Sequence, residues 1–84
     1  MRYFVTFEDS GVPTTALTPT AIWLNGDGTS AGAAPTVTEL DAGDAPGWYY
    51  FDAAPAVRIV VTVDGGGTLP AADRYAHMVI SPDD

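Results

Sequence analysis

Eighty-four residues carrying a net charge of −8 leave room for one domain with one core, and the absence of cysteine removes disulfides as staples. The only cations are Arg2, Arg58 and Arg74, set against eleven acids, a balance that excludes nucleic acid and anionic membrane surfaces as partners. No apolar run approaches the roughly 18–20 residues of a spanning helix, and no basic head followed by an apolar block opens the sequence, so it reads as a soluble, unprocessed chain made in the cytoplasm.

The large apolar side chains are mostly aromatic or valine, types that suit a pleated, half-buried surface. Arg2 to Phe7 is dense in strand formers and ends at the turn cluster Glu8-Asp9-Ser10-Gly11. Leu17-Thr18-Pro19-Thr20 reads as an edge segment or lead-in, because Pro19 lacks an amide proton and holds Thr18 extended. Ala21 to Asn25 is a strand closed by Asn25-Gly26-Asp27-Gly28, and Thr29 to Pro35 is loop. Thr36 to Leu40 is a short peripheral strand. Gly47 to Asp52 carries the densest aromatic block, with Trp48 and Tyr50 on one side and Tyr49 and Phe51 on the other. Trp48 is the expected core anchor. Val57 to Val63 is a core strand, with Val57, Ile59, Val61 and Val63 on one face. The Gly-rich run from Asp64 to Pro70 is loop, Ala71 to Asp73 is one helical turn, Arg74 to Ile80 is the last strand, and Ser81 to Asp84 is an acidic tail.

No window shows helical periodicity over the roughly 10 residues that a helix needs. The class is all-β. Short strands cut by frequent turns fit a small β-sandwich of Ig-like type, of about six to seven strands, in a single domain spanning residues 1–84.

A search for chemistry returns turns and strands. The one histidine, His77, sits mid-strand with Tyr75 and Val79 on its face and no nucleophile motif beside it, so no catalytic residue is assigned. One histidine without cysteine cannot build a zinc site. Asp41-Ala42-Gly43-Asp44 and Asn25-Gly26-Asp27-Gly28 each offer two oxygen ligands beside a glycine. Both lack the loop length and terminal Glu of a calcium-binding hand, and turn chemistry accounts for them. Asp64 to Gly67 has the composition of a phosphate loop without its Lys or helix. No metal or cofactor is expected. Arg74 is placed to clamp Asp64, and Tyr75 to bond a backbone group at a sandwich corner.

Nine large rings are more than one thin core encloses, and Tyr, Trp and Arg dominate protein–protein contacts. The interface candidates are Tyr3, Trp23, Tyr49, Tyr50, Arg58, Tyr75 and His77. The competing reading is a monomer whose rings fill its own core and rim.

In order along most of the chain, Leu17-Thr18-Pro19-Thr20 running into Ile22-Trp23, then Gly47-Trp48-Tyr49-Tyr50-Phe51, then Val63-Asp64-Gly65-Gly66-Gly67-Thr68-Leu69 with Ala72-Asp73-Arg74-Tyr75, resembles a family of small β-sandwich proteins of tailed bacteriophages and prophages. It departs from that family at Ala16, where the lead-in has glycine, and in the length of the loop from Thr29 to Pro35. The resemblance implies a virion component or small accessory domain, with no catalytic residues to carry over. The expected function is therefore a non-enzymatic virion structural protein, a capsid decoration or cement protein, or a neck or tail accessory. Its partners would be capsid or other virion proteins and its own copies, with a trimer as the leading assembly. The alternative is a carbohydrate- or host-surface-binding module using Trp23 or Trp48 as a sugar platform.

Overall fold

The protein is described by a computed structural model covering residues 1–82, and the end of the expected acidic tail, Asp83 and Asp84, lies outside the described residues. The strands are β1 (Arg2–Thr6), β2 (Glu8–Asp9), β3 (Val12–Pro13), β4 (Thr20–Asn25), β5 (Thr38–Asp41), β6 (Ala45–Asp52), β7 (Ile59–Asp64) and β8 (Tyr75–Ile80), with no helix among the described residues. They form three antiparallel sheets ordered β1-β6-β5, β4-β7-β8 and the small hairpin β2-β3.

Period-2 alternation decides what each strand buries. On β7, Ile59, Val61 and Val63 are buried between outward Val60, Thr62 and Asp64, as their spacing predicts, but the strand begins at Ile59 rather than Val57, and Val57, expected on the buried face, is 55% exposed because it precedes the ladder. β7 is central in its sheet, which removes its long apolar run from any exposed edge. On β6, Tyr49 and Phe51 turn inward and are completely buried. This corrects two expectations, because Tyr49 is a core residue rather than an interface residue, and Trp48 is a surface residue rather than the core anchor. The reason lies across the ladder: Val5 and Tyr3 of β1 sit opposite Tyr49 and Phe51, so the inward face of β1 selects the odd residues of β6.

The inner faces of both three-stranded sheets contribute to a single core. Val5, Phe7, Tyr49 and Phe51 come from one side and Ile59, Val61, Val63 and Ile80 from the other, and Val37 and Leu69 from the connecting segments complete the cluster. Rings organise it. Phe7 meets Tyr49 edge-on at 5.7 Å, Tyr3 stacks on Phe51 at 5.4 Å, and Trp23 meets Phe51 edge-on at 6.5 Å. Each fully buried large side chain contributes about 1.5–3 kcal/mol of transfer free energy.

Two side-chain hubs tie the loops. The Tyr49 hydroxyl donates to the Thr14 carbonyl (2.9 Å), accepts from the Leu17 amide (3.2 Å) and lies 3.4 Å from the Glu39 carboxylate. It thereby does for residues 14–17 what Tyr75 was expected to do. Arg74 grips Asp64 with two hydrogen bonds of 2.7 and 2.9 Å, and the same carboxylate accepts from the Gly66 amide. That pair closes the β7–β8 connection, where Gly65 passes so close to Leu69 and Phe7 that a Cβ would lie 2.6 and 2.8 Å from them. Ser10 and Gly11, both at positive φ, make the two-residue turn of β2-β3, a hairpin where the sequence reading placed only a turn. Ala71–Asp73 is a turn closed by the Asp73 amide on the Pro70 carbonyl at 2.9 Å, in place of the expected helical turn.

Candidate functional site

Alternation that buries Tyr49 and Phe51 lifts their neighbours out. The outer face of β1-β6-β5 therefore carries Arg2, Phe4 and Thr6 from β1, Trp48, Tyr50 and Asp52 from β6, and Thr38 and Leu40 from β5. Arg2 faces Asp52, Phe4 faces Tyr50 and Thr6 faces Trp48 across the β1–β6 ladder. Phe4, Trp48 and Leu40 are 46%, 45% and 40% exposed, so the face keeps a large apolar area in water.

Its geometry is ordered. Phe4 and Trp48 pack edge to face, 6.2 Å between centroids at 72°. The Arg2 guanidinium lies 3.9 Å above the Tyr50 ring and makes two hydrogen bonds to Asp52, 2.9 and 3.2 Å. Hydrogen bonding to Arg2 holds the Asp52 carboxyl below its ordinary range and Arg2 more firmly protonated. An oriented guanidinium beside a tryptophan and a tyrosine is a composition enriched in binding hot spots.

The outer face of β4-β7-β8 is a second surface. Leu24, Val60 and Val79 form one cross-strand row, Ile22, Thr62 and His77 the next, and Thr20, Asp64 and Tyr75 a third. Tyr75 and His77 are exposed here, and Arg74 lies 5.3 Å from the Tyr75 ring. Of the other interface candidates, Tyr3 and Trp23 are half-buried against Phe51, and Arg58 is exposed just before β7. Trp23 Nε1 is buried without a hydrogen-bond partner. The structure thus separates the candidates: Tyr50 joins one face, Tyr75 and His77 the other, and Tyr3, Trp23 and Arg58 neither.

The acidic turns close on themselves. Asp41 accepts from the Gly43 and Asp44 amides, and Asp27 from the Thr29 amide and hydroxyl, bonds that lower both carboxyl pKa values. Among the described residues no three His, Cys, Asp or Glu side chains gather as metal ligands. A cleft of about 310 Å³ between the start of β4 and residues 34–37 is lined by Pro19, Ala21, Pro35, Val37 and three neighbours, with only threonine hydroxyls as polar side-chain groups.

Sequence reasoning did not single out Arg2, Phe4 or Leu40 as site residues, and it gave Trp48 an exposed role only as the sugar platform of the alternative reading. The signal for β6 was Asp52, which shares parity with Trp48 and Tyr50 and marks their side as outward. The chain matches no protein-family model, no curated protein and no solved structure.

Proposed function

We propose that this protein is a non-enzymatic structural component of a tailed-phage virion, most simply a decoration or cement protein of the head shell, that works by docking the outer face of β1-β6-β5 onto a virion protein. The carrying observation is the exposed Phe4–Trp48 pair beside Arg2, which is held over half-buried Tyr50, with exposed Leu40 on β5 of the same sheet. The resemblance of its residue order to a family of phage β-sandwich proteins supports the same reading. So does the fold. The orders β1-β6-β5 and β4-β7-β8 follow those of strands B-E-D and C-F-G in an Ig-like sandwich, with Trp23 on the strand that carries that fold's core tryptophan. An exterior of net charge −8 would suit the outer surface of a DNA-filled particle, in the virion rather than free in the cell. Self-association into a homo-oligomer belongs to this reading, since a shell presents many copies side by side.

The test is binding of the purified chain to purified virions or empty shells of the phage or prophage that encodes it. Burying the exposed 45% of Trp48 is worth about 2–3 kcal/mol, so Trp48→Ala should weaken shell binding at least tenfold while moving the melting temperature little. Wild-type binding that survives Trp48→Ala and Phe4→Ala together, or no wild-type binding, refutes the docking face.

A further inference from the structure

β1 ends its sheet, with β6 on one side and no strand among the described residues on the other. The ladder fixes which backbone groups face the open side. Met1 and Ala53 exchange hydrogen bonds in both directions, and the Phe7 amide donates to the Gly47 carbonyl. The odd residues therefore pair with β6, and the amides and carbonyls of Arg2, Phe4 and Thr6 point outward. Natural edges are blunted by very short strands, by charged side chains (lysine above all), by proline, a bulge or an inward charge, or by a covering element. This one has a regular register, neither lysine nor proline, and a single charge, Arg2, that points outward and is paired with Asp52 of its own sheet.

We infer that the occupant of this edge is β1 of a second copy, laid antiparallel across a twofold axis at Phe4, so that two three-stranded sheets become one six-stranded sheet. Charge selects a second copy. A chain of net charge −8 repels itself over most of its surface, yet Arg2 to Thr6 carries no acid. The edge has its cation at Arg2 and continues into acidic Glu8 and Asp9 at the other end, so antiparallel pairing brings the Arg2 end of each copy toward the acidic end of the other. Side-chain parity agrees. A twofold at Phe4 sets Phe4 against Phe4 and Arg2 against Thr6 on the outer face, and Tyr3 against Val5 on the inner, so no side chain changes environment. Such a contact is isologous and closes at two, where the sequence reading led to a trimer. A five-residue edge buries less than the about 1,200 Å² of a standard interface, so association is weak in solution, with Kd between about 10 μM and 1 mM, and strengthens when a shell concentrates the copies.

This inference rests on the self-association part of the proposed function and not on shell binding. Sedimentation of the whole chain from micromolar to about 1 mM should show a monomer–dimer equilibrium, and amide exchange of Phe4 and Thr6, but not of Tyr3 and Val5, should slow as concentration rises. Thr6→Pro removes an outward amide that β6 does not use and should abolish the dimer with the fold retained. Two charge variants read the register. Thr6→Lys places a cation opposite Arg2 of the other copy and should raise Kd about 2- to 30-fold over the two equivalent contacts, whereas Thr6→Glu should lower it by a similar factor. Net charge alone predicts the reverse order, because the lysine reduces the overall repulsion. A monomer throughout, a trimer, a dimer indifferent to Thr6→Pro, or the reverse order of the charge variants overturns the inference. Loss of shell binding in a chain that still dimerises overturns only the docking reading.

Discussion

Adjacent tyrosines on β6 give the sharpest test of the fold, because alternation assigns them opposite fates. Tyr49→Phe keeps the ring that meets Phe7 and removes only the hydroxyl. That oxygen satisfies the Thr14 carbonyl and the Leu17 amide, two backbone groups 35 and 32 residues away in sequence. Each hydrogen bond is worth about 0.5–1.5 kcal/mol net, and stranded partners add to the loss, so the substitution should cost about 1–3 kcal/mol. In a domain of this size 1 kcal/mol moves the melting temperature by about 4–8 °C, which predicts a fall of roughly 5–20 °C by calorimetry or circular dichroism. Tyr50→Phe removes a hydroxyl on the outer face and should stay within about 0.5 kcal/mol of wild type. Equal melting temperatures for the two variants would refute the inward placement of Tyr49 and, with it, the identity of the exposed face. The alkaline limb tests the same residue. Burial pushes the Tyr49 hydroxyl above its ordinary range, so the unfolded chain releases this proton first, and stability should fall as pH rises past about 10.

Asp64 governs the acid limb at the β7–β8 connection. Its hydrogen bonds from Arg74 and then from the Gly66 amide hold its carboxyl below the ordinary range, so its contribution is present above the unfolded value near 4 and is lost as pH falls through the lowered folded value. Asp64→Asn should therefore be less stable than wild type at pH 7, with the gap narrowing as pH falls below about 4, by melting temperature; a constant gap would refute the assignment. Glycine substitutions should rank by geometry. Gly47, at φ +83° with a Cβ that would sit 2.9 Å from the Phe7 carbonyl oxygen, combines backbone strain with a clash, whereas Gly66, at φ +105° with open space around it, carries strain alone. Gly47→Ala should cost at least about 1 kcal/mol more than Gly66→Ala in chemical denaturation, and equal costs would refute the close approach.

Where one face of a strand was plainly more apolar, its burial was legible in the sequence. Ile59, Val61 and Val63 on β7 alternate with Val60, a threonine and an aspartate, and the structure buries these three of the expected four, leaving Val57 exposed ahead of the strand. On β6 both parities carry rings, so hydrophobicity could not choose between Trp48 with Tyr50 and Tyr49 with Phe51. The choice is made across the ladder by Val5 and Tyr3 of β1, a pairing some 45 residues away, and Asp52 at the end of β6 is its one local mark. The clamp of Arg74 on Asp64 was readable because one carboxylate and one of three arginines flank a single glycine-rich loop. Arg2 was not readable as a site residue for the opposite reason: its partners Asp52 and Tyr50 arrive from the far half of the chain. The strand-pairing order has the same non-local origin.

The arrangement of the outer face bears on what can dock there. Stacking of a pyranose needs the flat side of a ring left free, with other rings lying level beside it. Here the Arg2 guanidinium covers Tyr50 at 3.9 Å, tethered by two hydrogen bonds to Asp52, and Phe4 meets Trp48 at 72°. Trp23, the other sugar platform expected from the sequence, is half-buried against Phe51. Rings that meet at steep angles make a relief of ridges and hollows, and side chains of a protein partner fill such relief better than a flat sugar does. The fixed guanidinium adds a cation on an otherwise acidic molecule, placed where a partner's carboxylate or ring would find it already oriented. These features weigh toward a protein over a glycan as the occupant of the face. If β1 pairs with its own copy, that pairing joins two such faces into one strip, so each docking event would engage twice the apolar area that a single copy presents.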